Sequence, residues 1–240
     1  MFSHVTAARL LGLDLPRPLE EDELLDVSAV HPAGPPEAVG VRGHRLRRRP
    51  DVVDLHGLPV TSALETWCQL AGIVDLDDLI VIADRFVTDL RMPEQQVRDR
   101  VLTAIERTDP RQRRVLGQAL HEARRGSASP GETRLRLLLV RGGLPEPELN
   151  VPLYDDRGRY LGKPDIVYRR QRVVFEYEGD GHRELRQFRY DVEHYERMRD
   201  VSWTVVRVTG DDLRGERRMR LLERARARLA ATSSAPRAAR

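Results

Sequence analysis

The segment from Arg172 to Glu178 constrains the fold of this chain more than any other part of it. Because successive side chains of a strand point to opposite faces, one face carries Val173, Phe175 and Tyr177, and the other carries Val174, Glu176 and Glu178. A central strand of a mixed sheet that is covered on both sides is expected to be apolar on both faces. Two neighbouring carboxylates there are costly unless they are paired or bind a metal. The pattern therefore predicts a central strand that carries a site, with a solvated glutamate face as the alternative.

The elements around this strand predict the order helix, three strands, helix, strand, helix. Ser129 is an N-cap candidate with Pro130 at the first helical position, and this helix runs to Arg141. Strands are expected over 149–154 and 160–168, joined by a turn at 155–158. A helix over 185–200, a strand over 202–208 and an arginine-rich helix complete the half.

The first half predicts a smaller α+β domain. A helix over 3–11 with Ser3 as its N-cap, strands over 25–30, 39–46 and 51–55, and helices from Ala63, from Pro93 and over 111–125 are expected. The small polar segment 124–131 is typical of a domain boundary. We therefore divide the chain into domains 1–126 and 127–214, followed by a basic helix and tail over 215–240.

Composition restricts the class of protein. The chain has 240 residues, 40% of them hydrophobic, which is enough for one large domain or two small ones. Its aliphatic runs, such as 137–140, are far shorter than the roughly 20 residues of a membrane span. No signal peptide is visible, and the single Cys68 excludes a disulfide framework and a cysteine-based zinc site. We expect a cytoplasmic protein without membrane association.

A third acid, Asp165, lies in the strand that precedes the acidic one. With Glu176 and Glu178 it forms the predicted ligand set for Mg²⁺ or Mn²⁺, because hard cations prefer carboxylate oxygens. Such a metal suits hydrolysis of a phosphodiester. Lys163, on the same face as Asp165, is a candidate for orienting the water, and His182 is a candidate general acid or base.

Each of these residues has an alternative explanation. Glu132, a further candidate on the preceding helix, also fits a capping box with Ser129. His182 alone can be a turn residue, and Asp165 can be a solvated edge residue. Asp191 and His194, one helical turn apart, can form a surface pair.

The net charge of +3 hides a strongly basic end. From Arg214 onwards there are nine arginines and two glutamates, and a smaller cluster lies at 45–49. Such clusters can neutralise phosphates, with a solvated surface as the alternative. The candidate nucleic-acid contacts are Arg45, Arg47, Arg48, Arg217 and Arg218.

Several short motifs of the second half occur together in one known family. They are SPGE at 129–132, GLP at 143–145, GKPD at 162–165, FEYEGDGH at 175–182, QFRYD at 187–191 and WTVVRVT at 203–209. In this order they resemble the domain of unknown function 559 family, relatives of very-short-patch-repair endonucleases within the PD-(D/E)XK nuclease fold. The resemblance covers roughly residues 126–214.

The resemblance implies a restriction-endonuclease-like α-β-β-β-α-β core with a mixed central sheet, and cleavage of DNA with a divalent metal. Asp165 matches the aspartate of the PD element, and Glu176 matches the first acid of the next strand. Glu178 stands where the general motif has lysine, and an acid there is typical of this subfamily. The remaining matches are Glu132 to the helix glutamate, His182 to the histidine after the strand and Asp191 to an aspartate of the following helix. A homodimer is one arrangement that this activity allows.

The first half resembles the part of AbiEi-type antitoxin proteins that follows their winged helix, through SHVTAARL at 3–10 and GLPVTS at 57–62. We expect this chain to lack that winged helix. The resemblance keeps a second function open: a regulator without catalysis that binds nucleic acid or a partner protein, with the nuclease fold as a scaffold.

Overall fold

The computed structural model describes residues 1–88, 92–179 and 196–233. The chain divides into two compact units, Met1–Arg125 and Gly126–Arg240. Each unit combines helices with small sheets, so the protein is of the mixed α+β class. Among the helices of the described ranges, none is both long enough and apolar enough to cross a bilayer.

The first unit contains six helices and four strands within its described residues. They are α1 (His4–Leu10), α2 (Arg17–Glu20), β1 (Leu25–Val30), β2 (Val41–Leu46), β3 (Val52–Leu55), β4 (Leu58–Thr61), α3 (Ala63–Leu70), α4 (Leu76–Thr88), α5 (Glu94–Glu106) and α6 (Pro110–Glu122). Strands β1 and β2 pair in parallel, and β3 and β4 form an antiparallel hairpin.

The core of the first unit is centred on the helices. Ser62 caps α3 by accepting a hydrogen bond from the Glu65 N–H, as expected for a serine at this position. Trp67 of α3 is fully buried, and its indole N–H donates to the Leu79 carbonyl of α4. This bond satisfies the single polar group of a large apolar side chain and fixes α3 against α4.

Most predicted elements of the first unit are confirmed within a few residues. The strand predicted over 39–46 begins at Val41 because Gly40 has a φ of +76°, outside extended geometry. Strand β4 was not predicted. It is short and contains Pro59, which signals against a strand, and it forms because it pairs with β3 across the turn at 56–57.

The second unit contains one four-stranded sheet, one hairpin and three helices within its described residues. They are α7 (Pro130–Arg141), β5 (Glu148–Leu149), β6 (Leu153–Tyr154), β7 (Tyr160–Gly162), β8 (Ile166–Tyr168), β9 (Val173–Glu178), a helical stretch over 196–200 that we call α8, β10 (Thr204–Thr209) and α9 (Gly215–Ser233). The sheet order is β10-β9-β8-β5. Only β10 and β9 are parallel, so the sheet is mixed.

Strand β9 lies inside the sheet and separates two apolar clusters. Val173 and Phe175 pack with residues of α7 and α9, and Tyr177 contacts the same cluster. Val174 packs instead with Val167 of β8 and with Trp203 and Met198. The central position of this strand and the predicted alternation of its faces are confirmed.

The single strand predicted over 160–168 is wrong. The chain forms β7, turns at Gly162 and continues as β8 in a different sheet. Gly162 has a φ of +145°, which favours glycine, and Pro164 has no N–H to offer a ladder. The strand predicted over 149–154 is interrupted in the same way at Asn150, whose φ is +48°. The predicted turn at 155–158 does close the β6–β7 hairpin.

The arginine-rich helix α9 is part of the second unit's core rather than an appended segment. Leu221, Leu222, Ala225 and Leu229 are buried in the cluster that also contains Phe175. Its arginines lie on the remaining faces of the helix. Through its buried apolar residues α9 packs against the apolar face of the sheet that carries Phe175.

A polar cluster lies where α1 meets β1 and β2 in the first unit. The His4 and His44 rings stack with centroids 3.7 Å apart. His44 Nε2 lies 2.6 Å from Oδ1 of the fully buried Asp26, and His4 Nδ1 lies 2.9 Å from Ser3 Oγ. Burial and the adjacent His44 lower the pKa of His4 to about 4.

This low pKa predicts acid sensitivity of the first unit. In the unfolded chain a histidine has a pKa of about 6.5, so between pH 6.5 and pH 4 the unfolded state binds more protons and stability falls with the pH. We expect His4 to remove about 2 kcal/mol of unfolding free energy between pH 7 and pH 4.5. Urea denaturation in a Trp203→Phe background, where Trp67 is the remaining tryptophan, measures this loss.

The matched variant is His4→Gln, which lacks the titrating ring. Groups that do not interact with the ring titrate equally in both proteins, so the difference between the two pH profiles reports His4 together with its coupling to His44 and Asp26. Parallel profiles over this range would contradict the assignment.

Candidate active site

The last residues of β9 extend beyond the neighbouring strand β8. Ile166, the first residue of β8, lies opposite Phe175, so Glu176, Tyr177 and Glu178 have no partner in β8. The carboxylate of Asp165 takes the place of the missing strand, because its Oδ2 accepts a hydrogen bond of 2.7 Å from the Tyr177 N–H. On its other side β9 remains paired with β10 through Thr209.

This overhang gathers the three predicted acids at one end of the sheet. Asp165 directly precedes Ile166 and is therefore level with Glu176 in the antiparallel register. Glu178 lies two residues further along β9, on the same face as Glu176. All three residues are half-buried. Asp165, Glu176 and Glu178 therefore lie at the same end of the sheet.

An arginine from the adjacent strand completes the group. Arg207 of β10 lies beside Glu176 in the parallel register, and its Nε donates to Glu178 Oε1. The Glu178 side chain is 18% exposed, whereas that of Arg207 is 47% exposed. Arg207 was not predicted as a site residue. The sequence signal that could have identified Arg207 was its alternation with Val206 and Val208. This alternation places the arginine on the same face of the sheet as the acids.

The donor chemistry of these residues fits a hard divalent cation, but their present positions are not those of a preformed metal site. Within the described ranges, no group of three or more His, Cys, Asp or Glu side chains is arranged to hold a metal ion. Asp165 is directed to the Tyr177 backbone and Glu178 to Arg207.

Glu132 occupies a buried hydrogen-bonding position at the start of α7. Ser129 Oγ accepts from the Glu132 N–H at 3.2 Å, as a capping box predicts. The carboxylate Oε2 accepts from the Ala128 N–H at 2.8 Å and from Asn150 Nδ2 at 2.6 Å. The Asn150 N–H in turn donates to the Asp165 carbonyl. Glu132 therefore joins the helix start to the segment that carries Asp165.

Asn150 was missed by the sequence analysis. Asparagine tolerates the left-handed conformation, and an asparagine between two short strands was the available signal. Its φ of +48° turns the chain between β5 and β6.

The face of β9 opposite the acids is fixed by Tyr177. A Cβ atom at Gly131 of α7 would lie 2.0 Å from the Tyr177 ring, and one at Gly210 would lie 3.2 Å from its hydroxyl. The ring therefore occupies space that only glycine leaves open at the start of α7. This contact sets how closely the helix approaches the end of β9.

The remaining predicted site residues are not drawn into this group. His182 and Asp191 lie outside the described residues, as does His194. Lys163 is exposed, and no described residue hydrogen-bonds to or ion-pairs with its side chain. The argument that Lys163 and Asp165 share a face depended on a continuous strand, which the structure replaces with a break.

The predicted phosphate-binding arginines differ in their availability. Arg45, Arg47 and Arg218 are exposed, and in the described part of the chain their side chains have no polar partner. Arg217 pairs with Asp211 at 3.2 Å. Arg48 is already paired within the first unit, because its NH2 nitrogen donates to both carboxylate oxygens of the buried Glu65.

Comparisons with known proteins give distant similarity. No family model matches the chain, and no solved structure matches it. Two curated proteins of Mycobacterium tuberculosis are similar: the uncharacterized protein MT2308 of strain CDC 1551 and the uncharacterized protein Rv2248 of strain H37Rv. Each is 29% identical over 86 residues, which are 35% of this chain and 31% of the relative. The chain thus spans about a third of the length of these relatives.

The buried position of Glu132 predicts a structural effect. Glu132→Ala leaves the Ala128 N–H and the Asn150 amide without their acceptor, so we expect it to lower the unfolding free energy by about 1–3 kcal/mol. The control is Glu148→Ala, which removes an exposed pair with Arg169 and is expected to cost less than about 1 kcal/mol. Chemical denaturation measures both. Unchanged stability of Glu132→Ala contradicts the structural role.

The contact between Gly131 and Tyr177 predicts a steric effect. Gly131→Ala forces the ring or the helix to move, and overpacking of this kind costs about 1–3 kcal/mol. Gly117→Ala is the matched control, because Gly117 also lies inside a helix and nothing lies within 4 Å of its added Cβ. We expect the control to be stabilised by about 0.5–1 kcal/mol. Thermal or chemical denaturation of both variants checks the opposite signs.

Proposed function

We propose that the second unit is an endonuclease that uses a divalent metal to hydrolyse DNA phosphodiester bonds. The observation that carries this proposal is the convergence of Asp165, Glu176 and Glu178 at the overhanging end of β9. Three carboxylates from adjacent positions of a sheet form a hard oxygen donor set, which suits Mg²⁺ or Mn²⁺. Carboxylates beside a buried strand are costly unless they are paired or bind a cation, so their presence there supports such a role.

The order of the elements supports a restriction-endonuclease-like core. Helix α7 is followed by β5, β8 and β9, then by α8 and β10, with the β6–β7 hairpin inserted after β5. This agrees with the α-β-β-β-α-β order that the resemblance implies. It is an argument from architecture, which supports the reaction class less strongly than the acids do.

Each acid is given a distinct task by its surroundings. Asp165 has one oxygen fixed by the Tyr177 N–H, so its other oxygen has a restricted direction for binding a cation. Glu176 and Glu178 supply further oxygens from the same strand face. A metal bound there would polarise the phosphodiester and lower the pKa of a water molecule. Glu132, which supports the Asp165 segment through Asn150, is assigned a positioning role.

Arg207 has two tasks in this proposal. Beside Glu178 it compensates part of the negative charge that the three acids bring together. If Glu178 coordinated a cation, the Arg207 guanidinium would be able to contact a phosphate, for which arginine is well suited. The exposed arginines of α9, including Arg217 and Arg218, provide phosphate contacts without reading sequence. Arg45 and Arg47 are proposed as contacts on the first unit.

The ion pair between Arg207 and Glu178 also favours a second function. A site that satisfies its own acids needs no metal for stability, which suits a nuclease fold kept as a scaffold. In this alternative the protein is a regulator that binds nucleic acid or a protein partner through its arginines.

A cleavage assay separates the two functions. Purified protein is incubated with supercoiled and linear DNA in Mg²⁺, in Mn²⁺ and in EDTA. Asp165→Asn and Glu176→Gln remove charge but keep shape, and the asparagine oxygen can still accept from Tyr177. We expect metal-dependent cutting that both variants reduce by about 100-fold or more.

The matched control is Glu148→Gln, the same chemical change on β5 of the same sheet. It is expected to cut like the wild-type protein. Equal cutting by all variants identifies a contaminating nuclease and contradicts the proposed site. Absence of cutting with salt-dependent DNA binding retained supports the regulator instead.

A further inference from the structure

The first unit contains a cavity of about 590 Å³ between α1, the end of β2, α3 and the start of α6. Cavities of this size are typical of small-molecule sites. All its lining residues belong to the first unit, so it is separate from the acidic end of β9. None of the proposed nuclease chemistry uses it.

One wall of the cavity presents an amide group with a fixed orientation. Gln69 Oε1 accepts from the His4 N–H at 2.9 Å and from the Thr61 hydroxyl at 3.3 Å. These bonds identify the oxygen and leave the NH2 group of Gln69 as the free end of the amide. No described residue accepts a hydrogen bond from it.

The adjacent His4 ring adds a second donor. The Ser28 hydroxyl donates to Ser3 Oγ at 2.7 Å, so the hydrogen of Ser3 is available to His4 Nδ1. If Ser3 donates this hydrogen to His4 Nδ1, the neutral ring carries its own hydrogen on Nε2. Because burial lowers the pKa of His4 to about 4, the ring is neutral at pH 7 and donates without a charge.

The rim of the cavity is cationic. Arg47 is exposed, and its guanidinium contacts no polar group of the described chain. Arg107 is 49% exposed, and among the described residues its guanidinium pairs only with the exposed Asp51, in a weak ion pair of 3.5 Å. Both guanidinium groups are therefore available to an anion.

The acids that line the cavity are already occupied. Glu65 is held by Arg48 through both its oxygens. Asp109 accepts from the Arg111 N–H at the start of α6. Burial raises the pKa of Cys68 to about 12, so its thiol adds no negative charge. The free polar groups of the cavity are consequently donors at the wall and cations at the rim.

We propose that this cavity binds a nucleotide, with the phosphate at Arg47 and Arg107 and the base beside Gln69 and His4. Guanidinium groups match phosphate oxygens. An oriented amide and an imidazole N–H match the ring nitrogen and carbonyl acceptors of a base. The volume exceeds what a phosphate ion alone requires. The ligand is a 5′-nucleotide, either free or at the end of a DNA strand.

Isothermal titration calorimetry of the full protein with deoxynucleoside 5′-monophosphates tests the proposal, without divalent metal. We expect binding that weakens about tenfold or more when the phosphate is absent, as in the matching nucleosides. Arg47→Ala and Gln69→Glu are each expected to weaken it about tenfold. The glutamate keeps an acceptor for the His4 N–H but replaces the free donor with a negative charge.

Arg114→Ala is the matched control, because Arg114 is also exposed, belongs to the same unit and does not line the cavity. It is expected to bind like the wild-type protein. A short oligodeoxynucleotide with a 5′-phosphate, compared with its 5′-hydroxyl form, distinguishes a DNA end from a free nucleotide; preference for either source supports the proposal.

No binding of any phosphorylated probe at millimolar concentration overturns the proposal. Equal binding of nucleosides and nucleotides does so too, as does an equal effect of Arg114→Ala and Arg47→Ala. Since the assay measures binding in the first unit and contains no metal, its failure is distinguishable from failure of the proposed nuclease.

Discussion

The hydrogen bond from the Tyr177 N–H to the Asp165 carboxylate is the interaction on which the end of the central sheet depends. Strand β9 continues for three residues past β8, and a backbone donor left unpaired beside a core is costly. Asp165 supplies the acceptor from a side chain, so the strand keeps its extended form without a neighbour on that side. The same bond holds Asp165 level with Glu176 and thereby creates the acidic group.

In both units neighbouring groups hold the carboxylates, but the groups that remain around the site differ between the two units. In the first unit, Glu65 is enclosed by Arg48 and Asp26 by His44, and donors are left facing the cavity. In the second unit, the acids stand at the end of a strand, and Glu178 pairs with Arg207. These surroundings are the basis of the two proposals, an anion site in the first unit and a cation site in the second.

Much of this fold could be predicted from signals within short segments of the sequence. The caps at Ser129 and Ser62, the turn before Gly158 and the two faces of β9 are all set by residues close together in the chain. The break at 162–165 also had local signals, Gly162 and Pro164, but the apolar alternation of the flanking residues concealed it. The partners Arg207 and Asn150 could not be predicted in this way, because each meets its glutamate only after distant segments have paired.

The same reason explains the position of α9. Its arginine content suggested a basic tail, whereas its four buried apolar residues show that it closes the core. Six of its arginines alternate with these residues around the helix and lie on exposed faces: Arg217, Arg218, Arg220, Arg224, Arg226 and Arg228. The buried apolar residues and the exposed arginines of α9 thus lie on separate faces of the helix. Exposed arginines of this helix can therefore be replaced by neutral residues without changing its buried face. Each replacement lowers the attraction to polyanions by one step, and the apolar residues that pack in the core stay the same.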